Sequence, residues 1–174
     1  EALYWPCPAG AAGDEPHPGT PRLFIERFGH PDGRARFIPV EHTGAAERVS
    51  QEFPLRGTTG RVLAHYQSGA QTRRVPELAA ASPETFVEVH PDTAAAAGLS
   101  DGAPARVVAD RGAVLATVRT DDTLRADTVF LPFHFPGEQR ANLLTNPALD
   151  PTSRMPEFKV CAVRLEPAGE RSEP

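Results

Sequence analysis

The sequence predicts a mainly β domain that closes, or nearly closes, into a barrel with one or two short helices. Three observations support this. At least five short apolar runs with strand character lie between residues 53 and 166, turn signals separate them, and the helical patterns are brief. The 174 residues, of which 40% are hydrophobic, are enough for one domain with its own core and an additional arm.

The chain divides by composition into three zones. Residues 1–52 are rich in proline, glycine and charge, and we expect an extended arm with one or two short strands at residues 22–25 and 35–40. Residues 53–166 carry the regular patterns of the barrel. Residues 167–174 form a polar tail that we expect to be disordered.

The barrel elements follow in order along the middle zone. Residues 85–89 alternate as a half-buried strand does, and a short helix within residues 92–99 follows, started at Pro91 and ended at Gly98. Four further strands are predicted, at residues 105–109, 113–120, 128–131 and 160–166. The first two of these are joined by an Asp-Arg-Gly turn, which is typical of a hairpin.

The stretch from Thr58 to Arg74 indicates a bound anion. No acidic residue lies between Phe53 and Pro76, yet this region contains four arginines in a chain whose net charge is −5. Glycines let a ligand approach the backbone, and hydroxyls, amides and guanidinium groups match phosphate oxygens. The alternative is a polar loop whose arginines are solvated.

Two later polar clusters, residues 132–146 and 150–159, are predicted to form a rim at one end of the barrel. Phe133 and Phe135 offer flat apolar surface there, and Asn142 offers a paired donor and acceptor. Lys159 shares one face of an extended chain with Cys161, which would bring its charge to the barrel mouth; the alternative is a lysine that reaches to water.

Several function classes are disfavoured. No nucleophile–base constellation is evident, so we predict no catalytic residue, and Cys7 and Cys161 stand in no metal-binding spacing, so we predict no metal ligand. The acidic balance argues against nucleic acid as a partner, and no apolar run approaches the ~18 residues that would cross a membrane.

Spaced motifs resemble one family. They are Thr-Thr-Gly-Arg at residue 58, His-Tyr-Gln-Ser-Gly at 65, Gln-Thr-Arg-Arg at 71, Leu-Pro-Phe-His at 131, Ala-Asn-Leu-Leu-Thr at 141 and Pro-Glu-Phe-Lys at 156. In this order they resemble the C-terminal dinucleotide-binding domain of prokaryotic molybdopterin oxidoreductases, the group that includes nitrate reductases and formate dehydrogenases. The arm resembles the segment that leads into this domain in the nitrate reductase branch.

The resemblance implies a six-stranded double-psi β-barrel that holds a bis(molybdopterin guanine dinucleotide) molybdenum cofactor. It also implies which positions contact that cofactor: Thr58, Thr59, Gly60, Arg61, His65, Tyr66, Ser68, Gly69, Gln71, Thr72, Arg73, His134, Phe135, Asn142 and Lys159.

The resemblance further implies that an iron–sulfur cluster and the molybdenum ligand lie in domains that precede this one. We therefore expect a domain of a nitrate reductase of assimilatory type, inactive in isolation, whose partners are the other domains of that enzyme and an electron donor protein. A formate dehydrogenase and a free-standing barrel subunit are the alternatives. A cytoplasmic location is expected, although the missing N-terminus leaves a secretion signal open.

Overall fold

A computed structural model describes residues 23–24 and 26–169 of the chain. The chain divides into two compact units, Glu1–Thr43 and Gly44–Pro174. Residues 44–52, which the sequence analysis placed in the arm, belong to the second unit together with the barrel. The predictions for Cys7 and for residues 170–174 lie outside the described residues.

The described part of the first unit contains turns. The rings of Phe24 and Phe28 stack at 5.2 Å, and the Phe28 N–H donates to the Gly33 carbonyl at 3.0 Å. The predicted strand at residues 35–40 is wrong, because that segment forms no ladder and leaves Phe37 almost fully exposed. The other predicted arm strand falls partly on undescribed residues, with 23–24 in a turn.

The second unit is a closed barrel of six strands in the order β1-β5-β2-β4-β3-β6. The strands are β1 Leu55–Gly60, β2 Phe86–Val89, β3 Pro104–Ala109, β4 Gly112–Thr120, β5 Thr128–Pro132 and β6 Cys161–Pro167. Strands β1 and β5 pair in parallel, as do β2 and β4, while the other neighbours are antiparallel. The mainly β class and the closed six-stranded barrel are therefore confirmed.

Alternation along the strands builds the core. Val114, Ala116 and Val118 on β4 point to the interior, as the period of two requires. Val107 on the neighbouring strand β3 and Val163 on β6, the next strand along, are fully buried as well. A Cβ at Gly57 would lie 2.9 Å from the Cys161 sulfur, so only glycine fits where β1 meets β6.

Two short helices accompany the barrel. The helix α1, Pro76–Ala81, was not predicted, and α2, Pro91–Ala96, corresponds to the predicted helix. The imidazole of His90 caps α2 by accepting the Asp92 N–H at 3.2 Å, and Gly98 follows the helix with a φ of 70°. None of the described helices is long and apolar enough to span a bilayer.

The segment that enters the barrel is fastened to it by charge. Glu47 accepts two hydrogen bonds from Arg111, at 2.9 and 2.8 Å, and a third from the Ala162 N–H at 3.1 Å. Arg111 also donates to the Leu144 carbonyl at 2.7 Å. This network ties the entering chain to the β3–β4 turn, to β6 and to the loop after β5.

Candidate ligand-binding pocket

An open pocket of about 820 Å³ lies at one end of the barrel. It is lined by the end of β1 and three loops, through Thr59, Arg61, Gln67, Ser68, Phe133, Asn142, Thr145, Asn146, Pro147, Pro156 and Phe158. A second groove, of about 600 Å³, runs beside β3 and β4, but Glu138 is the charged side chain of its lining. The first pocket is the better ligand site because it combines cations, amides and aromatic surface.

Strand direction brings these lining residues together. Because β1 and β5 are parallel, with Gly60 opposite Pro132, the residues that follow both strands emerge at the same edge. The Phe133 N–H donates to the Gly60 carbonyl at 3.2 Å and continues the ladder past the strand ends. Strand β6 runs antiparallel to β1, so its N-terminal approach, which carries Lys159, lies at that edge too.

Thr59 and Lys159 fasten the β6 side of the pocket to β1. The buried Thr59 hydroxyl donates to the Phe158 carbonyl at 2.8 Å, and Lys159 Nζ donates to the Thr59 carbonyl at 2.5 Å. Lys159 Nζ also lies 5.2 Å from the Phe158 ring centroid and 5.8 Å from that of Phe133. Its charge therefore sits over aromatic faces at the pocket edge.

Arg61 supplies the second cation. Its Cζ lies 5.2 Å from the Phe133 ring centroid, and its Nη2 donates to Gln67 Oε1 at 3.2 Å. Phe133 is thus flanked by a guanidinium and an ammonium group. Such a surface suits a ligand that joins a flat ring to an anionic group.

The turn at residues 67–69 has a conformation that few residues adopt. Gln67 has a φ of 50°, and Gly69 has a φ of 71°. A Cβ at Gly69 would lie 2.4 Å from Arg73 Nη1 and 2.7 Å from the His134 carbonyl oxygen. Strained backbone of this kind is frequent in functional loops. No described group accepts the Ser68 N–H, so this donor is available to an anion.

Next to the loop that lines the pocket, the buried side chains of His65, His134 and Phe135 form a cluster with the half-buried Thr72. His134 is fully buried; its Nε2 accepts the Val62 N–H at 2.9 Å, and its Nδ1 bonds the Gln67 carbonyl. His65 bonds Thr72 Oγ1 at 2.9 Å and the Ser82 carbonyl at 2.7 Å, and Phe135 packs edge-on against it. Burial holds the pKa of His134 below its ordinary value. The hydrogen bond to the Gln67 carbonyl opposes this shift, and the nearby positive charges add to it.

The predicted site residues therefore separate into groups. Thr59, Arg61, Ser68 and Asn142 line the pocket, and Lys159 adjoins it through Thr59. His134 of the buried cluster bonds the Val62 N–H and the Gln67 carbonyl of the lining loop. Arg73 donates to the Ser68 carbonyl at 2.8 Å and to the His134 carbonyl. The other predicted residues, Thr58, Gly60, Tyr66, Gly69 and Gln71, are near in sequence but outside the lining.

Phe133, predicted as apolar surface of the rim, lines the pocket, as does Gln67, which lies within the predicted anion-binding stretch. Five further lining residues were not singled out: Thr145, Asn146, Pro147, Pro156 and Phe158. Asn146 shapes its loop, since its side chain donates to the Val160 carbonyl at 2.8 Å and accepts the Ala148 N–H at 2.9 Å. All but Gln67 and Pro147 lie in the two polar clusters at residues 132–146 and 150–159 that were predicted to form the rim. The sequence therefore indicated the clusters but not the individual lining residues.

The barrel and its pocket define a β-barrel ligand-binding domain. Residues 55–162 match the family model described as the molydopterin dinucleotide binding domain, and the chain belongs to that family. The resemblance that the sequence motifs suggested is therefore confirmed.

Known proteins agree with this assignment. The chain is 43% identical over 167 residues to the assimilatory nitrate reductase catalytic subunit of Bacillus subtilis, covering 95% of this chain and 23% of that protein. It is 40% identical over 166 residues to the F420-dependent formate dehydrogenase 2 subunit alpha of Methanococcus maripaludis, covering 95% and 24%. The chain thus spans about a quarter of the length of these relatives.

Among solved structures, acetylene hydratase from Pelobacter acetylenicus superposes with a TM-score of 0.61 at 19% identity. The superposition covers 68% of this chain and 19% of that one. This likeness supports the fold of the domain.

Proposed function

We propose that this domain holds the molybdopterin guanine dinucleotide cofactor of a molybdenum oxidoreductase, at the pocket built around Phe133. The observation that carries the proposal is the flanking of the Phe133 ring by Arg61 at 5.2 Å and Lys159 at 5.8 Å, beside the turn at residues 67–69. The family assignment supplies the ligand class.

The residues present fit the chemistry of such a cofactor. Arg61 and the Ser68 N–H, for which the described residues offer no acceptor, can take phosphate oxygens. Asn142 can pair with the polar edge of a heterocycle. Phe133 and Phe158 provide apolar area for flat rings, and a cavity of about 820 Å³ accommodates a large ligand. When bound, the cofactor would supply the redox chemistry, while the domain binds and orients it.

For the whole protein we propose a nitrate reductase that carries two such dinucleotides on its molybdenum. The support is the 43% identity to an assimilatory nitrate reductase catalytic subunit, while similarity to formate dehydrogenase subunits makes that activity the second candidate. An iron–sulfur cluster, the molybdenum ligand and the contact with an electron donor protein would belong to the other domains. If the enzyme is an assimilatory nitrate reductase, we expect it to be cytoplasmic.

Binding of guanosine diphosphate to the 174-residue chain tests the site. We expect NMR shift changes at residues 59–68, 133, 142–147 and 156–159, because these segments form the lining and its edge. Arg61→Lys should weaken binding, since an ammonium group cannot reproduce a two-pronged phosphate contact. Arg106→Lys, on β3 and paired with Glu166 at 3.9 Å, is the matched control and should bind normally. Shift changes at the β3–β4 groove instead would overturn the assignment.

The enzyme proposal is tested on the full-length protein. Nitrate and formate turnover, measured with the same artificial electron carrier, decide between the two activities. Lys159→Ala should lower molybdenum and guanine nucleotide content roughly ten- to a hundredfold, because a hydrogen bond to a charged group contributes about 1.5–3 kcal/mol. Unchanged content in this variant would remove Lys159 from the site.

A further inference from the structure

His134 connects both ends of the loop that follows β1. Its Nε2 accepts the Val62 N–H at 2.9 Å, and its Nδ1 bonds the Gln67 carbonyl. The pocket residues Arg61 and Ser68 stand immediately outside these two anchors. The shape of the loop therefore depends on an imidazole that is itself fully buried.

The two bonds require one protonation state. A backbone N–H can only donate, so Nε2 must present a lone pair to Val62. The Gln67 carbonyl can only accept, so Nδ1 must carry the hydrogen. The neutral Nδ1–H tautomer satisfies both partners, whereas a protonated imidazole would set two donors against each other at Val62.

Arg73 reinforces the same geometry from the other side. Its Nη1 donates to the Ser68 carbonyl at 2.8 Å and to the His134 carbonyl. The bond from His134 also holds Gln67 at its φ of 50°, a conformation that a free loop would leave. Two side chains thus maintain backbone that is not stable by itself.

We propose that neutral His134 is a positioning residue, which keeps residues 62–68 in the shape that presents Arg61 and Ser68 to the ligand, and that protonation of His134 releases this loop and the ligand. The inference rests on the proposed function, because it concerns retention of the same ligand.

The surrounding charges favour the neutral form. His65 lies 5.6 Å away between ring centroids, and together with Arg61 and Arg73 it adds to burial in holding the pKa of His134 below its ordinary value. A group whose folded pKa is depressed in this way contributes stability above its ordinary pKa of about 6.5, and this stability is lost as the pH falls. Lowering the pH below about 6.5 therefore weakens the hold of His134 on the loop.

His65 provides an internal contrast. Its partners, Thr72 Oγ1 and the Ser82 carbonyl, can both accept, so a protonated His65 keeps both of its hydrogen bonds. The requirement for one neutral tautomer is therefore specific to His134, whose Nε2 must accept from the Val62 N–H.

Two substitutions at His134 each keep one of its two hydrogen bonds to the loop and remove the other. His134→Gln places an oxygen near the Nε2 position and retains an acceptor for Val62, while His134→Asn places an amide nitrogen near the Nδ1 position and retains a donor to Gln67. His90→Asn, at the cap of α2 and outside the pocket lining, is the matched control. All are made in the 174-residue chain.

NMR provides the readouts that do not need a ligand. We expect the Nδ1–H tautomer at His134 near neutral pH, and loss of Val62 amide protection as the pH falls below about 6.5. At pH 7, Val62 exchange should be roughly tenfold faster or more in His134→Asn and close to wild type in His134→Gln and His90→Asn. A wild-type Nε2–H tautomer, or Val62 protection that is constant down to pH 5, would overturn the proposal even if a variant failed to fold.

Guanosine diphosphate is the ligand probe. Wild-type affinity should fall between pH 7 and pH 5 more steeply than that of His134→Gln, while titration of the nucleotide itself is common to both proteins. Identical pH profiles would refute the release step. If no protein bound the nucleotide, the proposed function would fail, but the tautomer and exchange results would still decide the role of His134.

Discussion

Gly69→Ala tests the view that the turn beside the pocket is held by close backbone packing. Gly69 has a φ of 71°, where an L-residue costs about 1–2 kcal/mol, partly offset by about 0.4–1 kcal/mol from a stiffer unfolded chain. The added methyl would also lie 2.7 Å from the His134 carbonyl oxygen, an overlap that costs about 1–3 kcal/mol to relieve. The total destabilisation should be about 2–4 kcal/mol.

Gly98 is the matched control. Its φ is 70°, yet nothing lies within 4 Å of its ideal Cβ position, so Gly98→Ala carries the conformational cost without the overlap. We expect about 1 kcal/mol of destabilisation there. The difference between the two variants, about 2 kcal/mol, isolates the contact of Gly69 with Arg73 and His134.

Urea unfolding followed by circular dichroism measures both variants, and thermal unfolding should show Tm values that differ by roughly 5–10 °C. Equal destabilisation of Gly69→Ala and Gly98→Ala would show that the loop moves freely to admit the methyl group. That result would refute the rigid turn on which the pocket geometry depends.

Two other predictions concern the barrel itself. Glu47→Gln should destabilise the domain by about 1–3 kcal/mol, because it removes the negative charge from a partly buried ion pair with Arg111. Glu52→Gln, at an exposed ion pair with Arg164, should cost at most about 1 kcal/mol. Urea unfolding measures the free energy of unfolding of both variants. Cys161 is tested in a Cys7→Ser background by its reaction with iodoacetamide at pH 8. Because burial raises the pKa of its thiol to about 11 from an ordinary value near 8.5, the folded protein should react about 200-fold more slowly than the protein in urea. Equal rates would contradict the burial of Cys161.

Most of the barrel could be predicted because its strands carry their own signal. Alternation at residues 113–120 and the apolar run at 160–166 correspond to β4 and β6, whose inward positions are buried. No strand was predicted at β1, whose sequence is Leu-Arg-Gly-Thr-Thr-Gly and whose second half belongs to the predicted anion-binding stretch. Its glycines obscure the strand pattern, yet Gly57 and Gly60 are needed where the Cys161 sulfur and the Phe130 ring approach the backbone.

Sequence locates the polar segments that line the candidate pocket, but it does not show which of their side chains face it. Sequence shows that His134 and Arg73 are polar, but it does not show whether their hydrogen bonds are made to a ligand or to the protein. In the structure both serve the backbone, through the carbonyls of Gln67 and Ser68 and the N–H of Val62. A buried polar group needs a partner, and that partner can lie too far along the chain for local patterns to reveal.

Hydrogen bonds and ion pairs within the protein also reduce the positive charge that the pocket offers to a ligand. The run of arginines suggested a strongly basic site, yet Arg56 pairs with Asp127 at 2.5 Å and Arg73 binds carbonyl groups. Arg61 is the arginine of the pocket lining, and Lys159 shares its charge with a backbone carbonyl. One guanidinium and part of an ammonium group do not balance a dinucleotide's phosphates. Under the proposed function, most of the affinity of this domain must therefore come from backbone donors and from stacking on Phe133.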